Sequence, residues 1–469
     1  MDIINYLKEH ENKDMLRFLT CGSVDDGKST LIGRMLYDSK MIFDDQLAAA
    51  ESESKKYGTT GEKIDMALLV DGLQSEREQG ITIDVAYRFF ATENRKFIIA
   101  DTPGHEQYTR NMVTGASTAD VAIILIDARK GILTQTRRHS FIVSLLGIEH
   151  VIVAINKMDL VGFSEETYNE ISQAYGKLAD ELGIKNTYYV PVSALNGDNV
   201  VDKSQNTPWY DGKAMLSLLD SMDISKEETA ENFRFPVQYV NRPNLDFRGF
   251  CGTIAAGSVK VGDEITVLPS GKTTKVKSII NAGDITEADR ETTTTQAYAP
   301  MAITITTEDE VDISRGDMIV HTHNLPVVSN NLDVMLVWMD EKPMDTGRSY
   351  DIKRATSVVS GSFNSINYKV DVNTYEKTEV STLSLNDIAS CKMLLTRPIA
   401  SDDYKTNRLT GSFIVVDRIS NNTVGAGMIV GTSESVESEN SAEYSKAEIA
   451  LNAYIREQFP EWGCKEINV

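Results

Sequence analysis

The sequence predicts an α/β domain with a doubly wound, largely parallel sheet, followed by two small all-β domains. In the first half, short apolar runs alternate with stretches of helical periodicity, which is typical of such a sheet. From about Phe233, short β-branched runs are separated by Gly, Asp and Pro turns instead. We place the boundaries at 1–228 for the α/β domain, 229–328 and 329–432 for two β-barrel domains, and 433–469 for a tail with a short helix.

Apolar runs predict six buried strands in the first domain, at residues 16–21, 85–90, 97–100, 121–126, 151–155 and 188–192. Amphipathic stretches at 135–146 and 165–182 predict helices between them. Doubly wound sheets bind ligands at the carboxyl ends of their strands, so we expect a site in the loops that follow these strands.

The β part contains short strands with tight turns between them. Runs at 235–240, 251–255, 264–267 and 275–280 are separated by turn residues such as Gly257. A second set of short runs extends from roughly 331 to 430 without helical periodicity. The spacing predicts two small barrels or sandwiches.

Composition and charge restrict the class of protein. The 469 residues include 69 acidic and 47 basic side chains, which gives a net charge of −22. This balance argues against a general nucleic-acid binder, because phosphate contacts need Lys and Arg, although it leaves room for a local basic groove. No apolar run approaches the ~18–20 residues that span a bilayer, so we expect no membrane partner.

The cysteines and the N-terminus indicate the compartment. Four cysteines lie far apart and form no CxxC pair, so neither a zinc site nor a disulfide framework is expected. The first residues show no basic region followed by an apolar stretch, which is the pattern of a secretory signal. We expect a cytoplasmic protein.

A phosphate-binding loop follows the first strand directly. It reads Gly22-Ser23-Val24-Asp25-Asp26-Gly27-Lys28-Ser29, with Thr30 next to it in the helix that it opens. Glycines let the backbone wrap around phosphate oxygens, and the amides at the helix N-terminus supply positive potential. We expect Lys28 to reach the β- and γ-phosphates and the Ser29 hydroxyl to bind Mg²⁺. The alternative is an ordinary glycine-rich turn.

A second motif indicates that the base is guanine. Asn156-Lys157-Met158-Asp159 follows the strand at 151–155, and the Asp159 carboxylate can accept hydrogen bonds from guanine N1–H and the 2-amino group. Adenine lacks both donors and would leave the carboxylate unpaired. Ser193-Ala194-Leu195 follows the next strand, where the Ala194 amide is predicted to bind guanine O6. NKxD alone is a weak signal, but the two motifs together favour GTP.

Two further segments have the spacing of γ-phosphate sensors. Asp101 ends the strand at 97–100 and is predicted to hold Mg²⁺ through water, while the Gly104 amide is predicted to face the γ-phosphate. His105 stands where it could orient an attacking water. Upstream, Thr82 is predicted to complete the Mg²⁺ and water shell. The long stretch from Lys40 to Thr82 predicts a mobile switch with short helices of its own.

The order and spacing of these motifs resemble the translation-factor class of GTPases over nearly the whole chain. Within that class the chain resembles the GTPase subunits of bacterial sulfate adenylyltransferases. The stretches that carry this resemblance are VDDGKSTLIGR at 24–34, EQYTRNM at 106–112, TQTRRHS at 134–140 and NRPNLDFRG at 241–249.

The resemblance implies a division of labour between two chains. In that family the GTPase pairs with a smaller ATP-pyrophosphatase-type subunit, and GTP hydrolysis drives formation of adenosine 5′-phosphosulfate and pyrophosphate from ATP and sulfate. The chain has one phosphate loop and no SGGxDS-type pyrophosphate loop, which agrees with adenylyl transfer on the partner. Some members of the class also hold a monovalent cation near the residue equivalent to Asp25.

Other functional classes are alternatives to this interpretation. The same scaffold serves translation factors that carry charged tRNA, and a free-standing signalling GTPase is a third class. His321 and His323 could form half of a metal site, but a solvated turn is the simpler expectation. The cluster Arg137-Arg138-His139 is expected on an exposed helix face, with contact to a partner as the alternative.

Overall fold

In the computed structural model, the described residues fall into continuous ranges and a few single positions: 13–40, 66–70, 84–105, 108–224, 232–244, 246–281, 292–432, and 54, 82, 451, 452, 454, 456, 458 and 459. The chain divides into two compact units. One comprises residues 1–227 together with Val370–Lys377, and the other comprises Glu228–Lys369 and Thr378–Val469.

The first unit is built on a six-stranded sheet with the order β2-β3-β1-β4-β5-β6. β2 is antiparallel to β3, and every other neighbouring pair is parallel. The largely parallel, doubly wound sheet predicted from sequence is thereby confirmed. Its strands are β1 (Asp14–Cys21), β2 (Ala86–Ala91), β3 (Arg95–Asp101), β4 (Val121–Asp127), β5 (His150–Asn156) and β6 (Asn186–Pro191).

In the described part of the unit, four α-helices connect these strands and a fifth follows β6. They are α1 (Lys28–Asp38), α2 (Thr109–Ala116), α3 (Thr134–Leu145), α4 (Glu165–Leu182) and α5 (Met215–Ser221), with short 3₁₀ helices at Met66–Leu69 and Met158–Val161.

The bounds of α4 follow from its capping residues. The Ser164 side chain accepts a hydrogen bond from the Thr167 amide, 3.2 Å away, and Glu165 and Glu166 occupy the first turn, where the helix dipole favours anions. At the other end, Gly183 takes the left-handed conformation that ends many helices, with φ 68°.

Burial of the central strands supplies the core of the first unit. Every residue of β4 is buried, which is expected of a parallel strand covered on both faces. Phe97 lies at the centre of an aromatic cluster, stacked on Phe90 at 4.7 Å and edge-on to Phe18 at 6.3 Å between ring centroids. The sheet is thus held rigid beneath the loops at its carboxyl edge.

The second unit contains two closed antiparallel barrels, which decides between barrels and sandwiches. In the first, the strands pair in the order β10-β15-β7-β8-β14-β11, and β11 also pairs with β10 to close the ring. Its strands are β7 (Arg234–Asn241), β8 (Gly249–Thr253), β9 (Ser258–Lys260), β10 (Glu264–Leu268), β11 (Lys272–Asn281), β12 (Thr292–Thr294), β13 (Gln296–Tyr298), β14 (Ala302–Thr307) and β15 (Met318–His321).

The other barrel closes in the same way. Its order is β17-β21-β22-β16-β20-β18, with β18 also paired to β17. Its elements are β16 (Val327–Trp338), β17 (Tyr350–Arg354), β18 (Ser357–Val370), β19 (Lys377–Thr378), β20 (Ile388–Ser401), α6 (Arg408–Gly411), β21 (Ser412–Val416) and β22 (Thr423–Gly431).

A buried ion pair joins the two barrels. Nε of Arg234 lies 3.0 Å from Oδ2 of Asp402, and NH2 lies 2.9 Å from Oδ1. NH1 and NH2 of Arg234 also donate to the Asn324 carbonyl and side chain, and the Thr410 hydroxyl donates to Asp402. A small apolar cluster of Leu268, Met318, Val320 and Ala400 lies at the same junction. The barrels are therefore fixed to each other by both charge and apolar contact.

Two predicted features fall largely outside the described residues. Of the expected switch between Lys40 and Thr82, the structure describes Ser54, 66–70 and Thr82. In the tail, the described residues at 451, 452, 454, 456 and 458 are helical. Among the helices of the described residues, none combines the length and the apolar character needed to cross a membrane.

Candidate functional site

The loop from Gly22 to Ser29 joins β1 to α1 and has a backbone that requires glycine twice. Gly27 caps α1 with φ +93°, and a Cβ there would lie 2.5 Å from Nδ2 of Asn156. Gly22 has φ +153°, and its Cβ would lie 2.8 Å from the Leu125 carbonyl oxygen. Asp25 is also left-handed, at φ 66°. The predicted phosphate loop therefore has the tight, amide-lined backbone that its pattern indicates.

The loop is closed around the Lys28 amine. Nζ of Lys28 donates to the carbonyl oxygens of Gly22 at 3.2 Å and Ser23 at 2.9 Å. Across the loop, Oδ2 of Asp26 accepts from the Ser23 amide at 2.6 Å. Burial lowers the pKa of Lys28, while Asp101 and Asp26 oppose that shift; burial raises the pKa of Asp26. The amine is thus held at the point where phosphate is expected.

The three predicted metal ligands lie together at the start of α1. The Ser29 hydroxyl donates to Oδ2 of Asp101 at 2.7 Å and lies 3.3 Å from Oγ1 of Thr82. Oδ1 of Asp101 accepts from the Thr20 hydroxyl at 3.0 Å. Two hydroxyls and a carboxylate are hard oxygen ligands, the kind that Mg²⁺ prefers. The residues present therefore fit the expected ion.

The loop after β3 lies directly against the phosphate loop. A Cβ on Gly104 would come within 2.5 Å of Nζ of Lys28 and 2.9 Å of the Val24 amide nitrogen, so any larger residue would push the two loops apart. His105 follows at once, with its ring 5.8 Å from that of Tyr108. The segment that carries His105 is therefore next to Lys28, as expected, while its predicted role with water remains a prediction.

Asn156 connects the phosphate loop to the loop after β6. Its Nδ2 donates to the Asp26 carbonyl at 2.7 Å, and its Oδ1 accepts from the Ala194 amide at 2.9 Å. Because the Ala194 amide already donates to Asn156, its predicted bond to guanine O6 would have to be shared with this side chain.

The remaining predicted base contacts surround these bonds. Lys157 is left-handed at φ 64°, and its Nζ bonds the Asp25 carbonyl and lies 3.1 Å from Oδ2 of Asp127. Asp159 is half-buried in the 3₁₀ helix that follows. Ser193 is fully buried and bonds Asp198 through its backbone. The two base motifs thus meet at one edge of the sheet.

Asp127, which the sequence analysis did not single out, anchors the Lys157 side chain. It ends β4 and is buried. Burial would raise the pKa of Asp127, but hydrogen bonds from Arg129 and Lys157 hold it well below its usual range. Asp127 could have been identified from the sequence, because it ends a strand at the same edge of the sheet as the other site residues.

His139 is a second residue that the sequence analysis missed, and the exposed face predicted for it was wrong. It is buried on α3, and its Nδ1 accepts from the Gly22 amide at 3.0 Å. Burial, reinforced by the positive charges of Lys28 and Arg138, lowers the pKa of His139 to about 3, so the ring stays neutral and can accept. Thr136, His139 and Val143 recur at helical spacing, a pattern that could have predicted a buried face.

Of the two histidines in the first barrel, His323 lies exposed in a turn, as expected, whereas His321 does not. His321 is buried at the end of β15, with Nε2 3.3 Å from Oδ2 of Asp263, and its ring stacks on that of His323 at 5.1 Å. They line a cavity of about 330 Å³. Within the described residues, no three His, Cys, Asp or Glu side chains are grouped as metal ligands.

Comparison with known families agrees with this geometry. Residues 13–227 match the family described as "Elongation factor Tu GTP binding domain", and residues 331–430 match "GTP-eEF1A C-terminal domain-like". The α/β unit is thus a GTP-binding domain of the elongation factor Tu type.

Curated relatives match over the full length of the chain. "Sulfate adenylyltransferase subunit 1" of Sulfurovum sp. (strain NBC37-1) is 81% identical, covering 100% of this chain and 98% of the relative. The protein of the same name from Aliarcobacter butzleri (strain RM4018) is 60% identical over 99% of this chain and 98% of its own. Together with the nucleotide-site geometry, these matches show that the chain belongs to the sulfate adenylyltransferase subunit 1 family of translation-factor-like GTPases.

Proposed function

We propose that this chain is the GTP-hydrolysing regulatory subunit of sulfate adenylyltransferase. It couples GTP hydrolysis to formation of adenosine 5′-phosphosulfate and pyrophosphate from ATP and sulfate on a partner subunit, the first step of sulfate assimilation in the cytoplasm. The observation that carries the proposal is the convergence of Ser29, Thr82 and Asp101 beside the buried Lys28 amine.

The reaction at this site is an in-line attack of water on the γ-phosphate of GTP. Lys28, the loop amides and the Gly104 amide stabilise the charge that develops on the phosphate oxygens. His105 orients the attacking water. Ser29 and Thr82, with Asp101 through water, would hold Mg²⁺, which supplies further charge neutralisation when bound.

Base selection depends on Asp159, with Asn156, Lys157 and the segment 193–195 around it. A carboxylate that meets guanine N1–H and the 2-amino group is left unpaired by adenine, which lowers the affinity for ATP. A monovalent cation near Asp25, which the resemblance implies, would compete with the Lys157 ammonium, because that ammonium already bonds the Asp25 carbonyl.

The partner is proposed to be a smaller, ATP-pyrophosphatase-type subunit that carries out adenylyl transfer. The family name "subunit 1" supports the existence of a second chain. The single phosphate-loop motif of this chain supports the location of ATP chemistry on that partner.

A reconstitution with the partner subunit tests the proposal. Pyrophosphate release from ATP is measured with and without sulfate, in the presence of GTP, a non-hydrolysable GTP analogue or GDP. We expect sulfate-dependent release that GTP stimulates and the analogue sustains poorly.

The Lys28→Ala variant is the control, because loss of nucleotide affinity should remove the stimulation. Stimulation that persists in Lys28→Ala, or no response to GTP in the wild type, would contradict the proposal. Tight, strongly salt-dependent binding of aminoacyl-tRNA in the GTP state would indicate a translation factor instead.

A further inference from the structure

Arg34 links the phosphate-loop helix to the segment that follows β6. It lies on α1, about 1.7 turns after Lys28. Its Nε donates to the Ala194 carbonyl at 3.3 Å, and its NH2 group bonds the Leu195 carbonyl. NH1 donates to Oδ1 of Asp38 at 3.2 Å, one helical turn further on. All three nitrogens of the planar guanidinium thus donate hydrogen bonds.

These bonds fix the direction of two successive peptide groups. In a trans peptide the carbonyl and the following N–H point in opposite directions. Because Arg34 holds the Ala194 carbonyl towards α1, the Leu195 N–H points away from α1. The next amide, of Asn196, bonds back to Oγ of Ser193 at 3.3 Å. The orientation of the Leu195 amide therefore depends on Arg34.

The chain after this segment fits closely around the same two side chains. Gly197 has φ +90°, and a Cβ there would lie 3.0 Å from Oδ2 of Asp38 and 3.5 Å from Cδ of Arg34. The side chain of Arg34 is only 15% exposed, and its guanidinium carbon lies 5.8 Å from the centre of the Tyr37 ring. Such packing restricts Arg34 to one geometry.

We infer that Arg34 is a positioning residue for guanine: through the Ala194–Leu195 peptide group it orients the Leu195 amide towards the O6 edge of the base. This inference rests on the proposed GTP-binding function and deepens it. The same helix begins with Lys28 and Ser29, so one rigid element sets both the phosphate end and the base end of the site.

Nucleotide affinities separate this role from a merely structural one. The full-length chain is titrated with GDP and with 2-aminopurine riboside diphosphate, a guanine analogue that lacks O6. For Arg34→Ala we expect GDP affinity to fall about threefold to tenfold, the value of one hydrogen bond, with the analogue's affinity nearly unchanged. Arg34→Lys keeps the charge but loses the planar fork that reaches both carbonyls and Asp38 together, and we expect an intermediate loss for GDP alone.

Two controls make the result interpretable. Arg17→Ala removes one exposed positive charge from β1 of the same unit and should leave both affinities unchanged. Thermal unfolding without nucleotide reports whether each variant is folded. An equal loss for GDP and the analogue in Arg34→Lys and Arg34→Ala would overturn the inference. Failure of the wild-type chain to prefer GDP over the analogue would instead count against the proposed function.

Discussion

We expect that replacing Arg234 by methionine destabilises the two-barrel unit more than the loss of an exposed ion pair does. Only 5% of the Arg234 side chain and 9% of the Asp402 side chain are exposed. Removal of one partner from a buried ion pair leaves the other charge without compensation, which costs about 3–5 kcal/mol. Arg234→Met creates this situation at Asp402, and it also removes the donors that reach Asn324.

The groups around Asp402 place the expected loss in the free energy of unfolding at the lower end of that range. The Thr410 hydroxyl still donates to Asp402 at 2.6 Å. Arg354 is buried nearby; burial lowers its pKa to about 10, and the charge of Asp402 works against that shift. These groups partly compensate the carboxylate. We therefore expect a decrease of about 3 kcal/mol in the free energy of unfolding, which corresponds to about 6–12 °C in Tm for a unit of this size.

Urea unfolding followed by Trp338 fluorescence measures this change selectively. Trp338 is 2% exposed in the core of the second barrel. Substituting Phe for Trp209 and Trp462 leaves it as the single reporter. The matched control is Arg418→Met, which breaks an ion pair with Asp351 at 3.2 Å in which the arginine is 53% exposed. Exposed pairs contribute at most about 1 kcal/mol. A loss for Arg234→Met no larger than that for Arg418→Met would refute the reasoning.

Three further predictions concern the nucleotide site. His105→Ala should retain GTP binding but hydrolyse GTP at least about tenfold more slowly, since a positioned group for water is worth roughly 10²–10⁴ in rate; single-turnover hydrolysis at saturating GTP measures this. Asp159→Asn should lower the preference for GTP over inosine triphosphate, because the amide loses one of the carboxylate's two acceptors; competition binding measures the ratio. His139→Phe removes the acceptor of the Gly22 amide and should cost about 1–3 kcal/mol at pH 7.5 in urea unfolding.

The His139 variant also has a pH signature with a definite sign. The pKa of His139 is about 3 in the folded chain, below its ordinary value of 6.5. Between these values the unfolded chain binds a proton that the folded chain does not, so the wild type loses stability as the pH falls from 6.5. His139→Phe should lose less stability between about pH 6.5 and pH 5. Equal slopes for the two proteins would show that His139 is not held neutral by the fold.

Controls for the other two variants are available in the same chain. Unchanged turnover in His105→Ala would remove His105 from the mechanism. Undiminished selectivity in Asp159→Asn would remove Asp159 from base recognition. Tyr87→Ala, an exposed residue on the edge strand β2, should leave hydrolysis and selectivity as they are.

Much of the fold and site was predictable because the signals are local. The phosphate-loop residues from Gly22 to Ser29 are contiguous, and the conformation of the loop follows from its glycines. The periodicity of the apolar runs determines strands and helices, and parallel strands bring their carboxyl ends to one edge. That is why Asp101 and Asn156 could be expected beside the loop before their distances were known.

What the sequence did not reveal depends on contacts between distant segments. The Gly22–His139 bond spans 117 residues, and the Arg34–Ala194 bond spans 160. The helical spacing of Thr136, His139 and Val143 indicates a buried face, but it does not show that the Gly22 amide is the partner of His139. Closure of the barrels likewise depends on one pairing each, β10 with β11 and β17 with β18, which periodicity alone cannot specify.

The phosphate loop already forms hydrogen bonds within itself, so we expect a ligand to exchange some of these bonds for new ones. Lys28 already donates to two loop carbonyls, and Ser29 already donates to Asp101. A phosphate oxygen and a cation at this site would compete with these bonds, so we expect the affinity to reflect the difference between the new partners and the old ones. Neutral carbonyls cannot imitate the negative charge of a phosphate, and no group of the loop imitates the edge of guanine. We therefore expect ligand selectivity to depend on the negative charge of the phosphate groups and on the hydrogen-bonding edge of guanine. The loop's own hydrogen bonds hold its conformation until a ligand binds.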